Sequence, residues 1–411
     1  MMVEKEQLIN EFDKELKNIL HFWQTRTIDH QYGGFAGQID AKGKMVAKAD
    51  KSLVLNTRIL WTFSAAYNFL GNRHYLDLAH RAFDYLIHHF LDKKHGGLFW
   101  AVDYKGNVIN PRKQIYGQGF GIYAFSEYYK ASGKHESLDM AIQLFHLIEK
   151  HSFDPQYGGY LEALSREWKT LKDMRLSDKD ANLPKSMNTH LHLLEPYSNL
   201  LGIWPDNNLK NKLTALLRIF LEKILDKQSY HFNLFFSNDW TVQSGIVSFG
   251  HDIEGAWLIN EAAILTGNKA LINEAKKETL KMVNAVIKDG MAPDYSLYYE
   301  HDFKKNQWLK ERHWWVQAEA LVGLLDAFEH SGIADYFDLF LKVWEYIKRY
   351  VIDYKHGEWH ELINDNGNPL PSELKAGFWK CPYHNTRALL ESMKRIRNID
   401  ASYPIVANQS K

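Results

Sequence analysis

The chain has a single cysteine, Cys381, in 411 residues. No internal disulfide can form, and a reducing, cytoplasmic compartment is expected. Neither sign of charge is in excess: 50 Lys and Arg balance 50 Asp and Glu. The basic face that a nucleic-acid partner requires is therefore missing. No apolar run approaches the ~20 residues of a membrane span. The N-terminal stretch MMVEKEQLINEFDKELKNIL is charged throughout and helical in period, unlike a signal peptide. No Gly-rich loop stands between a strand and a helix, so no nucleotide is expected. Prolines number only 10 and cluster at loops. What the chain has in quantity is aromatic rings (13 Trp, 22 Tyr, 22 Phe) and 20 histidines. Most rings fill a core, but Trp and Tyr also stack on the flat apolar faces of sugars. Histidine is the side chain best placed to move protons near neutral pH.

A punctuation mark recurs along the chain. It reads DHQYGGF from 29, DKKHGGLFW from 92, DPQYGGYLE from 154 and DYKHGEWHE from 353, with weaker copies from 226 and 289. Six copies near a 63-residue period signal a repeat architecture. The one long interval, from 154 to 226, holds a polar insertion at 166–188, expected to lie over a rim. After each mark come a short aromatic strand-like piece, an apolar helix such as SLVLNTRILWTFSAAYNFLG, a tight turn (GNRHY, SGKHE, TGNKA or SGIAD), and a second helix. Two helices in each of six repeats give twelve. An open solenoid needs polar capping repeats, yet the last repeat, GFWKCPYHNTRALLESM, is as aromatic as the others. The expectation is an all-α, closed (α/α)6 barrel. It forms one domain over 1–411, with short hairpin loops on one rim of a central cleft.

The candidate functional residues are polar or aromatic side chains set in otherwise apolar inner helices. They are Arg58, Tyr116, Asn188, His190, His192, His251, Glu254, Trp314, Trp315, Glu319, Trp379 and His384. Burying such groups costs free energy unless they are paired or used. His251 and Glu254 share a helical face. The pair reads as a surface contact, as part of a metal set with His190 and His192, or as a carboxylate that holds one imidazole tautomer. Residues two apart on a helix, as His190 and His192 are, do not converge. Arg58 reads as a buried ion pair or as a guanidinium fork for an anionic oxygen. Histidines, an arginine and no evident activated Ser or Cys suit proton abstraction beside a carbonyl. That chemistry needs a base, a second acid on the opposite face, and a cation at the enediolate oxygen. An inverting glycosidase needs two cleft carboxylates instead. Here Glu254 and Glu319 each follow a His or Trp and read as orienting groups.

The motifs NTRILWTFS, QIYGQGFGIYAFSEYY, MNTHLHLLE, FGHDIEGAWLINEAA, WWVQAEALVG and WKCPYHNTRA resemble the N-acylglucosamine 2-epimerase superfamily over roughly residues 5–397. GHDIE and WWVQAEA resemble its cellobiose 2-epimerase branch more than its acylglucosamine epimerases or aldose–ketose isomerases. The resemblance implies the (α/α)6 fold, no metal and no redox cofactor. It implies His251 and His384 as the acid/base pair at C2 of a sugar. It places Arg58 and His192 near the C1 and C2 oxygens, with Tyr116 and Asn188 beside them. Glu254 and Glu319 would position the sugar or a histidine, Trp314 and Trp379 would stack on rings, and Asp180 in the insertion would reach a second sugar. Whether Trp314 or Trp315 stacks is open. The expected partner is a β-1,4-linked disaccharide, bound by a monomer or a dimer.

Overall fold

The computed structural model describes residues 5–370 and 373–399. The ends of the domain expected over 1–411, and residues 371–372, lie outside the described residues. Among the described residues are twelve α-helices: α1 (Lys5–Arg26), α2 (Leu53–Leu70), α3 (Arg73–Tyr85), α4 (Ile115–Ser132), α5 (His135–His151), α6 (Met187–Leu201), α7 (Asn207–Ile219), α8 (Phe249–Thr266), α9 (Lys269–Gly290), α10 (Trp314–Ser331), α11 (Ala334–Tyr346) and α12 (Tyr383–Asn398). None is long and apolar enough to cross a membrane.

Hydrophobic pattern sorts them into two rings. Of the even-numbered helices, α2, α4, α8 and α10 are apolar on all sides, which is the pattern of an element buried all round. Every residue from Leu53 to Ala66 is buried, as is every residue from Trp314 to Phe328. The six even-numbered helices pack side by side, α2 on α4 and so on round to α12, which returns to α2. The odd-numbered helices carry one apolar stripe, such as Tyr75, Leu76, Ala79, Ala82 and Phe83 in α3, and wrap the outside. The turns between partners work as their sequences imply. Gly71, Gly133, Gly267 and Gly332 end α2, α4, α8 and α10 at φ of +67° to +70°, a region glycine enters without steric cost.

Short hairpins ring one rim, and their strands form a closed belt. The strand before each inner helix pairs antiparallel with a hairpin strand of the next repeat. Lys51–Ser52 pairs with Ala101–Val102, Lys113–Gln114 with Ala163–Leu164, and Arg312–His313 with Leu362–Ile363. The last, Leu374–Ala376, pairs with Ile39–Asp40 of the first repeat and shuts the circle. Glu358 staples the same seam, accepting hydrogen bonds from Trp23 of α1, Asn385 of α12 and Lys380.

The repeated aspartate does two jobs. One oxygen accepts from backbone N–H groups two and three residues on, as Asp29 does from Gln31 and Tyr32. The other holds a buried lysine on the pre-helix strand: Asp29–Lys51 at 2.8 Å, Asp92–Lys113 at 3.1 Å, Asp154–Lys185 at 2.7 Å and Asp353–Lys375 at 2.9 Å. Two sequence readings shift. In the fifth repeat the turn begins at Ala292, not Asp289, because Met291 bridges to Leu297 as Ile28 bridges to Phe35. In the third, residues 165–169 form a regular second turn closed by the Leu164–Thr170 bridge, so the insertion starts after Thr170.

Candidate active site

The inner helices begin at the hairpin rim, and their first two turns line the cleft. Counted from Leu53, Ile115, Met187, Phe249, Trp314 and Pro382, the sixth residues are Arg58, Phe120, His192, Glu254, Glu319 and Arg387, all buried at one level of the barrel. The third residues include His251 and His384. The second include Tyr116, Asn188, Trp315 and Tyr383. The partial positive charge of several helix N-termini therefore converges on this space, favouring a negative charge there.

His384 Nδ1 lies 2.7 Å from a Glu319 oxygen and 3.9 Å from Glu254. Arg387 bonds Glu254 at 2.6 Å and Glu319 at 2.7 Å, and it reaches Glu195 and the Tyr383 hydroxyl from its other nitrogen. Trp257 Nε1 donates to Glu319 at 3.1 Å. With Nδ1 donating to Glu319, the His384 Nε2 is left as the free basic nitrogen. On α8, which packs on the other side of α10 from α12, His251 Nδ1 pairs with the Ser248 hydroxyl at 2.8 Å. His251, His192 and Glu254 bring one donor atom each within 4.8 Å of one another. Glu254 is thus shared between the two imidazoles. So is the Trp315 ring, 4.8 Å from His251 and 5.5 Å from His384. The two histidines thus share a carboxylate and an indole.

Arg58 closes the other side. It donates to the Tyr116 hydroxyl at 2.7 Å, lies over the Phe120 ring at 4.3 Å, and leaves its Nε unpartnered. Asn188 presents an unpartnered side-chain oxygen. Burial, reinforced by Arg58 and Arg387, holds His384 neutral, far below the ordinary imidazole range. Burial, then His192 and Arg58, lowers His251 to about 3. Both rings rest as neutral bases. Burial raises both Glu254 and Glu319 above the ordinary carboxylate range, with Glu319 adding to the rise at Glu254, so the pair holds a proton more readily than two isolated carboxylates would. Three carboxylates thus face two guanidiniums across one cleft.

The profile of the N-acylglucosamine 2-epimerase (GlcNAc 2-epimerase) family matches residues 33–388. The chain belongs to the N-acylglucosamine 2-epimerase family. Within that family it is 46% identical to the cellobiose 2-epimerase of Bacteroides fragilis, over 94% of this chain and 98% of that one. It is 38% identical to the cellobiose 2-epimerase of Dictyoglomus turgidum over 95% and 99% of the two chains. The solved cellobiose 2-epimerase from Bacillus thermoamylovorans superimposes with a TM-score of 0.91 at 38% identity, covering 95% of this chain and 100% of that chain. These neighbours share the (α/α)6 barrel.

The family fold gathers Arg58, Tyr116, Asn188, His192, His251, Glu254, Glu319 and His384 into the cleft wall. Trp315 touches both histidines, whereas Trp314 sits deeper with its ring 6.4 Å from His384 and under the Lys380 ammonium. Trp379 stands at the rim, 5.9 Å from Tyr116. Asp180 stays apart from the histidines. Its carboxylate caps Ser177 within the insertion, and its charge adds a little to the burial that raises Glu300 and Tyr299. Sequence reasoning missed Arg387, Glu195 and Tyr383, which hold the carboxylates in place. The signal for Arg387 was its phase, six residues in, where the other inner helices carry their charged residues. Glu254 belongs to both donor clusters that approach one another. Arg387 bonds one of its oxygens and leaves Oε2 unpartnered, and Arg58 adds a second fixed cation beside His251, so positive charge is already present there as guanidinium.

His190 proves structural. It is the fourth residue of α6, and fourth residues grip their own hairpin. Gln118 and Gln317 bond both backbone groups of Leu98 and Leu297. His190 accepts from Tyr160 N–H at 2.9 Å and bonds the Ser186 carbonyl at 2.6 Å. Its folded pKa is depressed from 6.5 to about 4 by burial, then by Lys185. A depressed imidazole stabilises the fold above the unfolded value and loses that contribution as pH falls from 6.5 towards 4. His190→Gln is expected to stay within about 1 kcal/mol of wild type, and His190→Ala to lose about 2–4 kcal/mol at pH 7.5. The wild-type advantage over alanine should shrink by about 2 kcal/mol at pH 5. Urea midpoints at the two pH values read both effects, and a pH-independent difference would contradict the tautomer assignment.

Proposed function

We propose that this protein is a cellobiose 2-epimerase, interconverting glucose and mannose at the reducing end of β-1,4-linked disaccharides. The observation that carries the reading is the pair His251 and His384, on α8 and α12 either side of α10 and sharing Glu254 and Trp315. The sugar ring opens in the cleft. One neutral imidazole removes the C2 proton. Arg58, with the Tyr116 hydroxyl on its fork, offsets the charge that develops on the enediolate oxygens. Rotation about C2–C3 presents the other face, and the second histidine, carrying a proton, delivers it to C2. Trp315 and Trp379 offer faces for the sugar rings, and Asp180, with Tyr299 and Glu300, lines the outer end where a second sugar would lie. The lone cysteine supports a cytoplasmic location, and a single barrel closed on itself supports a monomer.

The test is product analysis after incubating cellobiose with the purified protein and a chelator. The glucosyl-mannose epimer is expected as the product. Free glucose would instead indicate an inverting hydrolase. Turnover of free mannose to fructose, with cellobiose untouched, would indicate an aldose–ketose isomerase.

A further inference from the structure

The barrel has a second cavity, at the end away from the hairpins. It measures about 520 Å³ and is lined by Trp61, Tyr123, Glu195, Asn199, Glu261 and Lys394, among others, from the far turns of the inner helices. That volume holds a chain of waters, and the lining is polar enough to keep it wet. Glu195 belongs to both ends of the barrel. One of its oxygens bonds Arg387 and Tyr383 under the catalytic cleft. The other, Oε2, is buried and has no hydrogen-bond partner; it stands 3.5 Å from His192 Nδ1, which also lacks one. Trp61 Nε1, on the cavity wall, is a third unpartnered buried group. His192 also brings a ring nitrogen within 4.8 Å of a ring nitrogen of His251 and an oxygen of Glu254. The charged groups that act on His192 are Glu195, Arg58 and Arg387.

The chain bends here for a stated reason. Pro196 has no N–H to give to the carbonyl four residues back, and α6 leaves helical geometry at His192 (φ −86°, ψ 18°). Gly119 makes room for that freed carbonyl, since a Cβ there would lie 2.2 Å from it. The kink sets His192 between the two compartments.

We infer that Glu195 and His192 form a back-door proton path, linking water in the second cavity to the histidine pair while a sugar fills the cleft. The inference rests on the epimerase reading. That reaction needs one histidine to start as a base and the other as an acid, and a bound disaccharide blocks the rim. A proton from cavity water reaches Glu195 Oε2, passes to His192 Nδ1, and leaves the other ring nitrogen for His251. Only O–H and N–H bonds form and break, and no electrons are exchanged. The proton taken from the substrate exits the same way in reverse, through Glu254, and returns His192 to its first tautomer.

The experiment is epimerisation of protiated cellobiose in heavy water, with the C2 isotope of the product read at low conversion. Wild-type product is expected to carry deuterium. With the path cut, protons from earlier turnovers are handed back, so product protium should rise several-fold. Glu195→Gln breaks the path at the carboxylate and should lower kcat about tenfold with KM little changed. Ala65→Phe puts a ring into the cavity from its α2 wall, displacing part of its water, and should raise protium likewise. Product as deuterated as wild type in both variants overturns the path. A rise in Glu195→Gln alone overturns the route through the cavity. Wild-type product already rich in protium overturns it too. Absence of any epimer from wild type would fault the epimerase reading itself, a separate result.

Discussion

His384→Ala and His251→Ala are each expected to lower kcat for epimerisation of cellobiose by about 10³-fold to 10⁴-fold, the scale of a positioned acid or base. The two losses should differ in kind. Each variant keeps one imidazole, and that imidazole addresses one face of C2. In heavy water, one variant should therefore still wash the C2 proton out of the gluco sugar, and the other out of the manno sugar, each without forming its epimer. The fold should survive. In His384→Ala, Glu319 keeps its bonds to Arg387 and Trp257. In His251→Ala, the loss is one hydrogen bond to Ser248 at a half-buried position. Rates, proton-exchange spectra and far-ultraviolet circular dichroism check the three parts. Either variant epimerising at more than a tenth of the wild-type rate would sink the two-base assignment.

The sequence made the ring and most of the cleft readable for a specific reason. Most repeats carry their own start and stop signals, Asp and Gly at the hairpin and Gly at the end of α2, α4, α8 and α10, so periodicity alone counts the helices. A polar residue in an otherwise apolar helix has nowhere to go but a cleft, which is why Arg58, His192 and Glu254 stood out. The same logic hid Arg387. It opens the stretch RALLESMKRIRN, which carries two more arginines and a lysine, and nothing local separates it from them. Glu195 was masked by Pro196, which reads as a helix end, whereas the structure keeps α6 running through a kink. His190 looked like a site residue because a buried imidazole is uncommon. Its work as a hairpin clamp shows only when it is aligned with Gln118 and Gln317. In the fifth repeat the usual Asp is replaced by Ala292, and the nearest Asp, three residues earlier, drew the reading out of register. The Lys–Asp pairs inside four hairpins were unreadable because Lys at a strand end is normally solvated.

Arg387→Met should be the most damaging single change to stability, because it strips the countercharge from Glu195, Glu254 and Glu319 together. Its guanidinium is 1% exposed and bonds all three carboxylates. Breaking a buried ion pair by removing one partner costs about 3–5 kcal/mol, and here three partners are orphaned. At pH 7.5 the variant is expected to unfold or to melt far below wild type. The pH dependence gives the sign. A buried carboxyl without its cation has a folded pKa raised above the unfolded value, so it binds a proton more tightly when folded. It penalises the fold at high pH, and the penalty fades as pH falls through the raised pKa towards the ordinary carboxylate range. Arg387→Met should therefore recover stability relative to wild type between pH 7.5 and 5. Combining it with Glu254→Gln and Glu319→Gln should restore folding at neutral pH without restoring epimerisation, since His384 then loses the carboxylate that fixes its tautomer. Urea midpoints across pH, with rates on the refolded triple variant, separate the structural role of this cluster from its chemical one. An Arg387→Met protein with a wild-type midpoint at pH 7.5 would mean that Glu195 and the Glu254–Glu319 pair carry no charge that needs the guanidinium in the native state, and the electrostatic account of the cleft would fail.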